Sequence, residues 1–123
     1  MLGSALAVTV GGALGSLLRF AGTQLIARWL GSAFPWGTFL VNASGCFAFG
    51  VLVNLVAARP GDPAMLRTFA LVGVLGGFTT YSSFAFETVA LLRDGDTTAA
   101  VMNVGGQLAV GLAAVWLGLR LSS

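Results

Sequence analysis

GVLGGFTTYSSFAFE, residues Gly73–Glu87, places two adjacent glycines and a run of hydroxyl-bearing side chains inside a long apolar segment. Hydrocarbon cannot hydrogen-bond to a peptide group, so irregular backbone at membrane depth persists only where protein or a water-filled path covers it. Gly76 and Gly77 weaken a helix locally, because glycine is the poorest helix former after proline. We therefore predict that this helix is interrupted in mid-membrane and that the interruption is the functional site.

The composition of the 123-residue chain is that of a membrane protein. The chain is 57% hydrophobic and 8% charged, whereas a soluble domain carries roughly 25% charged residues. A membrane helix needs roughly 20 apolar residues, which leaves room for about four spans and no separate soluble domain. We predict an all-α membrane protein with one transmembrane domain over residues 1–123. Its spans are predicted at about Leu2 to Trp29, Thr38 to Ala58, Ala64 to Leu92 and Thr97 to Leu119.

Missing residue types argue against several other functions. The chain has no histidine and one cysteine, Cys46, so an internal disulfide is impossible and thiolate or imidazole metal sites are not expected. Few carboxylates are available for acid–base chemistry, which argues against an enzyme. A net charge of +2 without a basic cluster argues against nucleic-acid binding. No arginine precedes Arg19, so we interpret the N-terminus as a retained first span, not a signal peptide.

Polar residues in the other spans leave two interpretations open. The side chain of Arg19 either extends to the membrane interface or lines an aqueous vestibule. Asn42 needs a hydrogen-bond partner, which is either a neighbouring helix or a permeating ion. Asn103 and Gln107 in the fourth span either line a path or bond to neighbours. Asn54 is interpreted as an amide that joins two helices.

The aromatic pair in the opening stretch also has two interpretations. Tyr81 and Phe84 are three residues apart and therefore share one face of a helix. Core packing or lipid contact is the simpler interpretation of such a pair, but the neighbouring glycines and hydroxyl groups favour a role in a path. Glu87 follows one turn later, either over Phe84 or near the interface.

The arginines are spread almost evenly over the two sides of the predicted bundle. The tally is three on the side of the N-terminus against two or three on the other, namely Arg59, Arg67 and Arg120 against Arg28, Arg93 and, if it reaches that interface, Arg19. Orientation normally follows an excess of basic residues in cytoplasmic loops. Because the bias here is so small, we predict insertion in both orientations and an antiparallel dimer.

Three motifs together resemble the signature segments of the Fluc, or CrcB, family of fluoride channels. They are GGALGSLLRF at 11–20, GTFLVNASGCFAFG at 37–50 and GGFTTYSSF at 76–84, and the resemblance covers essentially the whole chain. It implies an antiparallel, dual-topology homodimer in a bacterial-type inner membrane. It further implies two fluoride pathways for passive export that lowers fluoride toxicity. Fluoride, a second copy of the chain and the lipid bilayer are therefore the expected partners.

The resemblance assigns roles by motif position. It implies a structural sodium ion at the dimer centre, bound by the backbone carbonyls of Gly76 and Thr79 from both chains. Asn42 takes the place of the pore asparagine. Carbonyl oxygens are suitable hard ligands for such a cation.

The resemblance further implies that the ring edges of Tyr81 and Phe84 face fluoride, although phenylalanine is usual where this chain has tyrosine. A ring edge is electropositive and can meet an anion without a fixed charge. Arg19 and Glu87 match positions near the ends of the pathway. The remaining groups that can donate hydrogen bonds to the ion are those of Asn42, Thr80, Ser82 and Ser83.

Two other functions fit a chain of this size. A small dual-topology multidrug antiporter has a similar length and number of spans, but proton coupling needs a buried acid, most tellingly in the first span. That span has no Asp or Glu, and Glu87 is the only candidate. A noncatalytic scaffold subunit would explain the glycines and the apolar bulk, but not a polar interruption with aligned aromatics. The sequence therefore predicts a fluoride channel.

Overall fold

Four long helical paths make up the protein, and all four are long and apolar enough to cross a membrane. The computed structural model describes residues 1–123. Helix α1 covers Leu2–Leu30, α2 covers Trp36–Ala57, the third path covers Ala64–Arg93, and the last helix, α6, covers Thr97–Ser122. These bounds differ from the predicted spans only at their ends. The prediction of an all-α protein with four spans is confirmed.

The third path is built from four helical pieces. They are α3 at Ala64–Arg67, a π-helical segment at Thr68–Leu75, α4 at Gly76–Phe78 and α5 at Tyr81–Arg93. Between α4 and α5 the backbone is extended, with φ and ψ of −82° and 153° at Thr79 and of −146° and 117° at Thr80. The path is therefore interrupted for two residues.

The interruption follows the glycine pair and does not include it. Gly76 is helical, with φ −62° and ψ −36°. A Cβ atom at Gly77 would lie 2.6 Å from the carbonyl oxygen of Gly12, so this glycine permits close contact with α1. The extended residues are two threonines, whose branched side chains lose rotamer freedom in a helix. The weak point of the helix therefore lies at Thr79 and Thr80.

Helix α1 packs against the π-helical segment through its small residues. Gly11 and Gly15 are its only buried residues. A Cβ atom at Gly11 would lie 2.6 Å from the carbonyl oxygen of Phe69, and one at Gly15 would overlap the carbonyl oxygen of Val74. Gly11 and Gly15 thus allow the two helices to pack closely. On the other side of the bundle, α2 packs along α6.

Most of the apolar surface faces outward. Only 13 of the 123 residues are buried. Large side chains at the interruption are among the exposed ones, with Tyr81 80% and Phe86 75% exposed. Lipid covers such a surface without cost, because its tails are as apolar as the side chains. The extended segment is partly buried, which fits backbone that must not face hydrocarbon.

Candidate ion pathway beside the helix interruption

Asn42 supplies the hydrogen bonds that the interruption removes from Thr80. Its Oδ1 accepts from the backbone N–H of Thr80 at 2.8 Å, and its Nδ2 donates to the backbone oxygen of Thr80 at 3.0 Å. Nδ2 also donates to Gln107 Oε1 at 2.9 Å. Extended backbone inside a membrane protein needs such partners, because no water replaces them. The structure therefore shows Asn42 bonded to two neighbouring segments.

The hydroxyl groups predicted as candidates form one cluster at the start of α5. Thr80 Oγ1 caps the helix by accepting from the backbone N–H of Ser83 at 3.2 Å. The same oxygen donates to Ser83 Oγ at 3.1 Å and lies 3.2 Å from Ser82 Oγ. An N-cap of this kind fixes where the helix begins. The partial positive charge of the α5 N-terminus consequently lies beside Thr80.

The first of three cavities lies beside Asn42 and the aromatic pair. It has a volume of about 260 Å³ and is lined by Asn42, Thr79, Thr80, Tyr81, Phe84, Gln107 and Leu108. The ring centroids of Tyr81 and Phe84 are 5.6 Å apart, with an angle of 53° between the planes. No charged side chain lines this cavity. It therefore offers rings, amides and hydroxyls as its polar surface.

The second cavity contains both charged residues that sequence analysis placed at the pathway's ends. It has a volume of about 310 Å³ and is lined by Ser16, Arg19, Phe20, Thr23, Thr38, Thr80, Ser83 and Glu87. Glu87 Oε1 accepts from the hydroxyl of the buried Thr38 at 2.7 Å. Its other oxygen, Oε2, is buried without a hydrogen-bond partner. Thr38 is a residue that sequence analysis missed, although it lies one turn before Asn42 on the same face of α2.

Arg19 is bonded to the interrupted helix itself. Its Nε donates to the backbone oxygen of Gly77 at 3.1 Å, just before the extended residues. This contact and the lining of the second cavity favour the vestibule interpretation over extension to the interface. Arg19 is therefore not counted among the arginines at the two membrane interfaces. Three arginines then face two across the bundle.

The third cavity is the largest and reaches the connection between α1 and α2. It has a volume of about 510 Å³, and its lining includes residues 31–38 together with Glu87 and Asp94. Thr80 lines both the first and the second cavity, while Thr38 and Glu87 line both the second and the third. The three cavities are therefore neighbours along the bundle, from the interruption toward the end that carries the connection between α1 and α2.

The backbone oxygens of Gly76 and Thr79 accept no hydrogen bond from any side chain, and Gly76 is exposed. No group of three or more His, Cys, Asp or Glu residues lies close enough to hold a metal ion.

Asn54 behaves as predicted and joins two helices. Its Nδ2 donates to the backbone oxygen of Leu119 at 2.9 Å and to Ser122 Oγ at 3.1 Å. This pair of bonds lies among residues that line none of the three cavities. Gln107, which sequence analysis left undecided, lines the first cavity and bonds to Asn42. Its position one turn after Asn103 on α6 was the available signal for a shared polar face.

These features define a multi-pass membrane protein with a polar route that starts at an interrupted helix. The profile of the family described as CrcB-like protein, Camphor Resistance (CrcB), matches residues 6–119. The chain belongs to this family, as its sequence motifs predicted.

Similar proteins carry a more specific name. Proteins named Fluoride-specific ion channel FluC include one from Opitutus terrae, 50% identical over 113 residues, which cover 90% of this chain and 86% of the relative. The one from Thermus thermophilus is 47% identical over 118 residues, covering 94% and 92%. The one from Hydrogenovibrio crunogenus is 43% identical over 114 residues, covering 93% and 86%.

Proposed function

We propose that this chain is a fluoride-selective channel through which fluoride leaves the cytoplasm passively, across the inner membrane, so that its toxicity falls. One observation carries the proposal: the extended segment, held by Asn42, opens a cavity that is lined by Tyr81 and Phe84 and has no fixed charge. The names of relatives that are 43 to 50% identical over most of their length support it.

Fluoride is small and strongly hydrated, so a pathway must replace its water with other donors. The first cavity is lined by the rings of Tyr81 and Phe84, and the edge of an aromatic ring carries partial positive charge. Both protons of Asn42 Nδ2 are already bonded, so an ion that contacts this amide replaces an existing bond. Ser82 and Ser83 add hydroxyl donors at the positive end of α5. Several weak sites suit conduction, because the ion must also leave.

We infer that Arg19 and Glu87 act in the second cavity, between the aromatic pair and the open end. The guanidinium raises the local concentration of anions near the interruption. Glu87 is turned toward Thr38, which leaves the arginine's charge uncompensated by a direct ion pair. The neighbouring cavities therefore run from one without charged side chains, through one that holds an arginine and a glutamate, to the third cavity.

We infer that the working unit is an antiparallel, dual-topology homodimer. The three cavities of one chain lead from the interruption to only one end of the bundle, so a single chain supplies half of a route. A second copy in the opposite orientation supplies the other half. The nearly even arginine tally favours insertion in both orientations. Tyr81, 80% exposed beside the first cavity, is available to contact that second copy.

The dimer proposal includes a structural sodium ion at its centre. The carbonyl oxygens of Gly76 and Thr79 from both copies would hold it, since side chains leave these oxygens free. A bound sodium ion supplies a fixed positive charge that compensates carbonyls facing one another at the interruption. The ion is held and not transported in this proposal.

Purified protein in liposomes loaded with fluoride and chloride tests the proposed function. We expect fast fluoride efflux, little chloride efflux and no requirement for a proton gradient, and empty liposomes serve as the control. Proton-dependent uptake of a cationic dye would identify an antiporter instead. The absence of both fluoride efflux and dye uptake would indicate a scaffold subunit.

A further inference from the structure

A chain of side-chain hydrogen bonds connects Asn42 with the interior of α6. Gln107 Oε1 accepts from Asn42 Nδ2 at 2.9 Å, and Gln107 Nε2 donates to Asn103 Oδ1 at 3.0 Å. Asn103 Nδ2 in turn donates to Thr88 Oγ1 at 2.9 Å, and the hydroxyl of Thr88 donates to the backbone oxygen of Phe84 at 2.7 Å. The five residues of this amide relay are Asn42, Gln107, Asn103, Thr88 and Phe84.

The direction of every bond in the amide relay follows from one backbone group. The N–H of Thr80 can only donate, so it requires the oxygen of Asn42 and turns the amide nitrogen toward Gln107. Gln107 must then present its oxygen to Asn42 and its nitrogen to Asn103. Asn103 is forced into the same orientation and donates to Thr88. A primary amide has one acceptor end and one donor end, so no member can rotate alone without losing a bond.

The amide relay begins and ends on the interrupted helix. It leaves the backbone at Thr80 through Asn42 and returns to it at Phe84 through Thr88. The backbone between these ends carries Tyr81 and Phe84, the rings that line the first cavity. A bond lost anywhere in the relay therefore loosens the segment that positions both rings.

Asn103 is completely buried in the bundle. Its side chain is 0% exposed and is the largest fully buried one. It does not line the first cavity, so it cannot contact an ion there. A fully buried amide is costly unless its hydrogen bonds are made. The relay satisfies both of its ends, and this gives the buried amide a defined orientation.

We propose that Asn103 and Gln107 are positioning residues for ion selection: through the amide relay they fix the orientation of Asn42 and the geometry of the first turn of α5. Asn103 acts only through Gln107 and Thr88. Gln107 also lines the first cavity, where its second N–H has no hydrogen-bond partner in the relay. The role of the amide relay in ion selection rests on the proposed function. The effect of the relay on the backbone of Thr80 does not.

Asn103→Leu tests the relay without touching the cavity, and Asn54→Leu is the matched control. Both replace a hydrogen-bonded amide within a membrane-spanning helix, but Asn54 bonds at Leu119 and Ser122, outside the relay. We expect amide hydrogen exchange at Thr80 to be several-fold faster in Asn103→Leu than in wild type. We expect it to be unchanged in Asn54→Leu. Equal exchange at Thr80 in all three proteins would overturn the proposal.

Flux measurements in liposomes test the second half of the proposal. We expect Asn103→Leu to lower the ratio of fluoride to chloride flux by roughly two- to tenfold, the change that one hydrogen bond can produce. We expect Asn54→Leu to keep the wild-type ratio even where it lowers thermal stability. Faster exchange at Thr80 with an unaltered flux ratio would remove the relay from ion selection.

A second pair of variants applies if Asn103→Leu does not fold. Gln107→Met removes the link to Asn42, and Leu112→Met changes an exposed residue of the same helix that lines none of the three cavities. Faster exchange at Thr80 and a lower flux ratio in Gln107→Met alone would support the proposal. Matching results for the two variants would contradict it. A wild-type protein without fluoride flux would contradict the proposed function, while the exchange measurement would still decide whether the relay holds Thr80.

Discussion

The side-chain amide of Asn42 bonds to both polar backbone groups of Thr80. Its oxygen accepts from the N–H at 2.8 Å and its nitrogen donates to the carbonyl at 3.0 Å. Both groups would otherwise be unpaired inside an apolar bundle, because the extended backbone gives them no helical partner. A residue of α2 thereby pairs both backbone groups at the point where the third helical path is interrupted.

Asn42→Ala should abolish fluoride flux and destabilise the protein. The change leaves two backbone groups of Thr80 without partners, at a cost of about 1–3 kcal/mol each. Thermal unfolding in detergent and fluoride efflux from liposomes measure the two effects. Asn54→Ala is the control on the same helix, and we expect it to lose stability and keep its flux. Normal flux in Asn42→Ala would mean that the interruption is not the conducting segment.

Phe84→Ile should lose most fluoride flux and leave the dimer intact. The substitution keeps an apolar side chain of moderate size but removes the electropositive ring edge. Efflux from liposomes measures the flux, and size-exclusion chromatography measures the assembly. Unchanged flux would remove Phe84 from the pathway.

Tyr81→Phe should have only a mild effect on flux, because the ring edge survives and only the hydroxyl is lost. The Tyr81 ring is 5.6 Å from that of Phe84, and the hydroxyl makes no hydrogen bond to another residue of the chain. The same efflux assay measures the change. Loss of fluoride flux in Tyr81→Phe would show that the hydroxyl itself contacts the ion or the second copy.

Arg19→Gln should reduce fluoride flux roughly tenfold, because the second cavity loses its positive charge. Arg19→Lys keeps the charge, although it lacks the Nε–H that bonds to Gly77, and we expect it to keep most of the flux. The difference between the two variants should shrink as salt is added, since salt screens the long-range attraction of an anion by a charge in a water-filled vestibule. Equal losses in both variants would assign Arg19 to the Gly77 hydrogen bond and not to electrostatics.

The spans could be predicted from the sequence because the membrane sets the length of an apolar helix. The position of the interruption could be predicted only approximately. Gly76 and Gly77 are the weakest helix formers in the segment, yet they stay helical because Gly77 contacts Gly12 closely. The backbone opens at Thr79 and Thr80, where side chains from other helices supply replacement bonds. A local sequence pattern shows the helix propensity of these residues. It does not show which residues of other helices will contact them or bond to them.

The sequence identifies candidate site residues, but it does not predict the hydrogen bonds that connect them. Asn42 and Phe84 do line one cavity, as expected for parts of one site. The bonds between Asn42, Gln107 and Asn103 depend on how α6 is rotated against α2, which helical spacing on one helix does not fix. The same holds for Thr38 and Glu87, which are paired across α2 and α5.

Insertion in both orientations predicts that two oppositely biased variants complement each other. Ser123→Arg with Arg93→Gln changes the arginine tally to four against one, and Ser32→Arg with Arg59→Gln and Arg120→Gln changes it to one against three. Each variant alone should insert in one orientation and protect cells poorly from fluoride, because no inverted partner forms. Co-expression should restore protection. Full protection by either variant alone would contradict the antiparallel dimer.

The reversal potential of the purified protein in a planar bilayer, with fluoride on one side and chloride on the other, tests the central claim most directly. A passive pathway that replaces the water of fluoride with ring edges and hydrogen-bond donors should give a current that reverses close to the equilibrium potential of fluoride. Phe84→Ile should carry little of that current. A reversal potential near zero, or one that follows the proton gradient, would contradict a fluoride-selective channel.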